Sequence, residues 1–293
     1  MLQRRLAQSS ISLGNILFAT DFSRQSSLAL TYVLPIARKY GATIYPAHVR
    51  PEQIGLPASA RESLQALGVQ RGSDTKKAVA SLEAQLGNVP HEILSRKGDV
   101  WAELSKIVKT NKIDLIVAGT HGRSGVGKFL MGSVAEKIFR HAPCPVLTVG
   151  PAVSGEPESI VNLHEILFAT DLSAASMAAL PYAISLAEEN NARLYVLHVA
   201  AKSAAAVDED MLKHKIRSLV PEAARLMSQP KVIVEYGLPA ERILSVSQEL
   251  AIDLIVLGVK RAPVHFDASP HLPLATAYKV VSLATCPVLT VRG

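Results

Sequence analysis

Short runs of consecutive apolar residues alternate along this chain with longer stretches in which apolar positions recur every three or four residues. In the first half the runs are ILFAT, TIYPAHV, HEILSR, DLIVAG and PVLTV. Continuous apolar runs separated by helical patterns predict parallel strands covered by helices on both faces. Between the first two runs lies SSLALTYVLPIARKY, where Leu28, Tyr32, Ile36 and Tyr40 keep to one helical face. Between HEILSR and DLIVAG lies DVWAELSKIVKTN, with Asp99 placed as a helix N-cap.

The same order of runs then repeats. GNILFATDFS at 14–23 returns as HEILFATDLS at 164–173, and His48, Asp114 and Cys144 find counterparts in His198, Asp253 and Cys286. A period of domain size marks a duplication and not a solenoid. The fold expected is α/β: two tandem doubly wound parallel-sheet domains, residues 1–150 and 151–293. GPAVSGEPES, 150–159, reads as the linker. The equivalent final strands PVLTVG and PVLTVR would leave open edges, so the two domains are expected to pair through them. Symmetric association of two chains as a homodimer is expected as well.

Length and composition narrow the class. At 293 residues the chain exceeds the usual allowance of about 150 per domain, in keeping with the repeat. Apolar residues at 48% and charged residues at 19% exclude a disordered or fibrous protein. The net charge of +6 is spread without any block of like charge, and aromatics are only 5%. Single-strand binders combine a basic stripe with aromatics, so no nucleic-acid partner is expected and the excess charge reads as solubility. The start, MLQRRLAQSSISLGNILFAT, has the arginines and apolar run of a secretory leader, but the recurrence of that run makes it part of a folded element. No stretch reaches the roughly 18–20 apolar residues that span a bilayer. A cytoplasmic protein without a membrane partner is expected. Cys144 and Cys286 occupy the same place in two copies of CPVLTV and read as small core residues, not as a disulfide or metal ligands.

Chemistry concentrates in GTHGRSGVGKFLMGS, residues 119–133. Its inner stretch GRSGVGKF meets the phosphate-loop pattern GxxxxGK[ST] at every position but the last, where Phe129 cannot hold magnesium. The stretch also follows the fourth strand of its half, no Walker B carboxylate is evident, and the helical pattern begins only after Met131. A second pattern fits better: Gly119, Gly122 and Gly132 followed by Ser133, G-x2-G-x9-G-S. Gly119 would clear the strand end for a nucleotide, and Gly122 would permit a turn with positive φ. Gly132 and Ser133 would open a helix whose free amides and dipole suit a phosphate. The Ser133 hydroxyl either donates to that phosphate or caps the helix. Ligands in doubly wound sheets sit beyond the carboxyl ends of the strands, where strand order reverses. Asp21, Val49 and this loop are therefore the places to inspect.

With ATDFS and ATDLS after the first strands, HV closing the second and CPVLTV as the last, the chain resembles the universal stress protein family, in its ATP-binding subgroup, over nearly its whole length. The resemblance implies Rossmann-like domains, adenine nucleotide alpha-hydrolase-like, with a five-stranded core each. It implies ATP, with Mg²⁺ or Mn²⁺ bridging its phosphates, as ligand of the first domain. Asp21 would hold the ribose or the adenine edge, Val49 would pack on adenine, and Ala19, Thr20 and Val134 would line the site. Gly119, Gly122, Gly132 and Ser133 would receive the phosphates. For Asp21 the alternative is a cap on the helix starting near Ser23. For Arg123 and Lys128 the choice is between neutralising phosphate and plain solvated loop charge; for His121, between a phosphate neighbour and a structural histidine. His48 and His198 read as packing residues.

The second copy departs from the pattern. Arg261 stands for Gly122, and Leu274 and Ala275 stand for Gly132 and Ser133, so no ATP is expected there by this mode, and a different ligand for that domain stays open. His265, Asp267 and His271 have no standard zinc spacing, and no metal site is assigned. The function implied is a stress-response regulator that binds ATP in its first domain, with no catalytic residue assigned. A slow ATPase using the same loop and a nucleotide-independent interaction protein are the competing readings.

Overall fold

The computed structural model describes residues 11–50, 71–120, 131–154, 156–201, 209–260 and 275–293. The first half runs β1 (Asn15–Ala19), α1 (Arg24–Tyr40), β2 (Thr43–Arg50), α2 (Arg71–Leu86), β3 (Leu94–Lys97), α3 (Val100–Thr110), β4 (Leu115–Gly119), α4 (Ser133–His141) and β5 (Val146–Val149). A 3-10 turn, Pro157–Val161, leads into β6 (Glu165–Thr170), α5 (Ala174–Met177), α6 (Leu180–Asn190), β7 (Arg193–Ala200), α7 (Glu209–Arg217) and β8 (Lys231–Tyr236). The half closes with α8 (Pro239–Glu249), β9 (Leu254–Val259), α9 (Ala275–Leu283) and β10 (Val288–Arg292).

All ten strands lie in one sheet, ordered β3-β2-β1-β4-β5-β10-β9-β6-β7-β8. Pairing is parallel within each half and antiparallel where β5 meets β10. At that junction Thr148 pairs with Val288 and Val146 with Thr290. Each threonine hydroxyl donates across it, Thr148 to the Val288 carbonyl at 3.1 Å and Thr290 to the Val146 carbonyl at 3.3 Å. The final strands thus pair as their open edges require, and two five-stranded halves become one layer.

The repeated aspartates are structural. Asp114 Oδ2 accepts from the Gly14 and Asn15 amides at 2.9 Å, and Asp253 Oδ2 accepts from His164 and Glu165 at 2.7 and 2.9 Å. Each carboxylate fastens the start of its half's first strand to the start of the fourth. The predicted run HEILSR is strand only from Leu94; at its start the chain touches β2 through a single bridge between Ile44 and His91.

One face of the sheet carries a core shared by both halves, in which Tyr32, Phe18 and Val149 join Phe168, Leu180 and Leu289. The linker and the residues that follow it contribute to it: Val153, then Ile160 and Leu163, are buried, and the 3-10 turn packs on α1. On the other face each half has its own core, but Met131, Ala135 and Phe139 of the α4 region join the core of the second half.

The helix after the first strand differs between the halves. α1 is continuous, whereas its counterpart is split into α5 and α6, with Pro181 near the start of α6. α1 also carries a proline, Pro35, and stays continuous, so the break goes with the place of Pro181 in the first turn of α6 and not with proline alone. Thr31 holds the equivalent place in α1.

Candidate functional site

Strand order reverses between β1 and β4, and the cleft of interest opens there, at the carboxyl ends of β1, β2 and β4. It encloses about 250 Å³. Its floor follows from register: Ala19 pairs with Ala47 on one side and Ala118 on the other, so three neighbouring strands present a methyl group at one level. Val49 stands at the end of β2, and Val100 and Leu104 of α3 close one wall. Gly132, Ser133 and Val134 at the start of α4 form the rim, with Ser133 and Val134 exposed.

The turn after β1 is built by short polar side chains. The Thr20 hydroxyl accepts from the Phe22 amide at 3.0 Å and donates to Ser26 Oγ at 3.1 Å. Asp21 Oδ1 accepts from the Ser23 amide at 2.9 Å, and Ser23 Oγ caps α1 by accepting from the Ser26 amide at 3.2 Å. Phe22 is left-handed at φ 59°, a conformation that costs a non-glycine residue about 1–2 kcal/mol. His48 holds it, with Nδ1 3.0 Å from the Thr20 carbonyl and its ring 4.6 Å from that of Phe22. The second half repeats the device with Leu172 at φ 63°, Asp171 on the Ser173 amide and His198 on the Thr170 carbonyl. The histidines are thus structural, as their strand-end placement suggests. The cap on α1 is Ser23, not Asp21.

Eight of the residues picked out in the sequence line this one cleft: Ala19, Thr20, Asp21, Val49, Gly119, Gly132, Ser133 and Val134. His121, Gly122, Arg123 and Lys128 lie outside the described residues, as do Arg261, His265, Asp267, His271 and Leu274. Two expectations change. Ser133 is not the cap: Gly132 occupies the N-cap position, and among the described residues no side chain caps α4, which leaves its first-turn amides at Ser133 and Val134 toward the cleft. Gly119 answers to the protein's own backbone. A Cβ there would lie 3.0 Å from the Gln25 carbonyl oxygen, where α1 crosses the strand end. Its counterpart Gly258 is tighter, 2.2 Å from the Ala175 carbonyl oxygen, because the short α5 settles onto β9. Glycine at this position serves the packing of helix on strand in both halves.

The reading of the sequence missed Ala47 and Ala118. Their signal was present in the repeat, where AHV becomes LHV and DLIVAG becomes DLIVLG. In the second half Ala169 pairs with Leu197 and Leu257, so two isobutyl groups stand where the first half has methyls. A cleft of about 250 Å³ remains there, with Asp171, Lys260 and Thr276 at its mouth. Burial works to raise the Asp171 carboxyl, but hydrogen bonds from Ser173 and Ser176 and the nearby Lys260 charge outweigh it and hold it below the usual carboxylate range.

Among the described residues no group of His, Cys, Asp or Glu could hold a metal ion, and no helix is long and apolar enough to cross a membrane. Burial pushes the Cys144 and Cys286 thiols up to about 12, as befits packing residues.

A strand-order switch point with a cleft beyond the strand ends marks a doubly wound α/β fold, present here as a tandem. The model of the universal stress protein family matches residues 13–150 and 162–292, and the chain belongs to that family. A universal stress protein of Methanocaldococcus jannaschii is 34% identical over 138 residues, covering 46% of this chain and 80% of its own length. One from Thermus aquaticus is 31% identical over 137 residues, covering 46% and 96%. A crystal structure of a universal stress protein from Archaeoglobus fulgidus superposes at a TM-score of 0.67 with 20% identity, covering 96% of this chain and 99% of that one, which establishes the shared two-half fold.

Proposed function

We propose that this protein is a regulatory ATP-binding member of its family, with the nucleotide held by the first half, residues 1–150, and the second half, 151–293, as its structural partner. One observation carries the reading: a flat alanine floor faces the uncapped amides of α4 across a single cleft. The enclosed 250 Å³ is smaller than the roughly 300–1,000 Å³ of whole-ligand pockets. It suits adenosine, with the phosphates running out along the rim. In this reading adenine lies on Ala19, Ala47 and Ala118 against Val49, Asp21 accepts from the ribose hydroxyls, and the first turn of α4 with the Ser133 hydroxyl receives phosphate oxygens. A divalent ion arrives with the nucleotide, because the described lining holds a single carboxylate, Asp21. Its Oδ1 already accepts from the protein backbone, which leaves it poorly suited as the base that hydrolysis needs. Binding, rather than turnover, is the function that follows. Leu197 and Leu257 stand where the first half has its floor alanines, which changes the shape of a cleft of similar volume and argues against the same ligand there. The chain works in the cytoplasm, and any symmetric association of two chains uses surfaces other than β5 and β10, which the halves occupy against each other.

Calorimetric unfolding with and without Mg·ATP tests this. Ligand at a hundred times Kd should stabilise the protein by about 2.7 kcal/mol. Ala47→Leu, which imports the floor of the second half, should abolish that gain while leaving the unliganded transition close to wild type. No stabilisation of the wild type at millimolar ATP sinks the assignment. Phosphate release at several turnovers per minute that Ala47→Leu abolishes would replace binding by catalysis.

A further inference from the structure

The helix that rims the first cleft is held at both ends by the other half. At its start the Met131 amide donates to Tyr278 Oη at 3.0 Å, a link between residues 147 apart in sequence. At its end Arg292 Nη2 donates to the Phe139 carbonyl at 2.7 Å, placing a cation at the negative end of the α4 dipole. Between them Met131, Ala135 and Phe139 are buried in the second half's core. Within its own half, the Gly132 amide donates to the Thr120 carbonyl at 2.8 Å.

Among the described residues these pins have no counterpart in the reverse direction. Aligned through Cys144 and Cys286, Tyr278 corresponds to Glu136 and Arg292 to Gly150. Glu136 turns to Arg140 on its own helix, at 2.9 Å, and a glycine has no side chain to reach α9. Among the described residues, only the helix beside the alanine floor receives the two bonds. We infer that Tyr278 is a positioning residue for the first cleft: by bonding the Met131 amide it fixes the direction of the first-turn amides at Ser133 and Val134, with Arg292 steadying the far end. The second half, whose own floor carries leucines, thereby completes the phosphate side of its neighbour's site. This rests on the nucleotide reading for its ligand but not for its geometry.

The test compares ATP with adenosine on the full-length protein by titration calorimetry, because adenosine lacks the phosphates that α4 would receive. Tyr278→Phe removes one hydroxyl and should weaken ATP by about three- to tenfold, the worth of one hydrogen bond, while leaving adenosine unchanged. Arg292→Met, at the opposite end of α4, should move the same ratio in the same direction and serves if the first variant folds poorly. Equal weakening of both ligands indicates a merely structural role and overturns the inference, as does an unchanged ATP affinity. Amide exchange on the ligand-free protein separates the two readings: Tyr278→Phe should speed exchange at Met131 through Val134. If the wild type binds no ATP, the nucleotide reading falls alone; if exchange there is unchanged in the variant, the positioning role falls whatever ATP does.

Discussion

Single residues distinguish the clefts of the two halves, and others merely keep the fold. Gly119 and Gly258 look alike in sequence, yet a methyl at Gly258 would meet the Ala175 carbonyl at 2.2 Å, whereas at Gly119 the nearest backbone atom is at 3.0 Å. Gly258→Ala should therefore cost about 1–3 kcal/mol or more in urea unfolding, and Gly119→Ala distinctly less. Equal costs would mean that α5 is not pressed onto β9 as described. Purpose at these positions was illegible in the sequence. Gly119 suits a nucleotide as well as a helix, and only the crossing of α1 over the strand end tells them apart. Asp21 and Val49 were legible, because strand ends are where doubly wound folds place ligands. Ala47 and Ala118 were overlooked because a small apolar residue in a strand carries no chemistry of its own; it acquires meaning only beside the leucines that replace it.

Elements show how the copies diverged without losing their plan. α3 begins at Asp99, whose Oδ1 accepts from the Ala102 amide at 2.9 Å and whose Oδ2 lies 3.0 Å from Lys137 Nζ. Its counterpart α8 begins at Leu238, 63% exposed, in the same extended conformation but with no capping side chain. Asp99→Ala should cost about 1 kcal/mol and Leu238→Asp should recover a similar amount, both measured by urea unfolding at neutral pH. The bond from Ala102, then the Lys137 bond, holds the Asp99 carboxyl below its ordinary value. A carboxyl depressed in the folded state stabilises above its unfolded value, near 4, and loses that contribution as pH falls through the folded one. The penalty of Asp99→Ala should accordingly shrink in acid, and a constant penalty would show that the charge plays no part. Helices and strands were largely readable from periodicity, and the Asp99 cap from its place before an amphipathic run. The split of α5 from α6 was not legible, since α1 runs unbroken through a proline of its own, Pro35.

At the scale of the whole molecule the two halves share a core across one face of a continuous sheet, so they should unfold together. Trp101, the one tryptophan in the chain, stands on α3 and reports on the first half. Phe168→Ala, a fully buried change in the second half, should lower the Trp101 fluorescence transition by about 3–5 kcal/mol. A transition at the wild-type midpoint would show that the halves fold independently. The pairing of the final strands could be anticipated from their repeated sequence, but the bonds from Tyr278 and Arg292 to α4 could not, since nothing local ties residues about 150 positions apart. The antiparallel junction of β5 and β10 has a further consequence. Both edges are supplied by one polypeptide, so each meets its partner at a fixed effective concentration, and dilution cannot part them. The two clefts, one in each half, are thereby carried on one unit in fixed proportion, whatever the protein concentration.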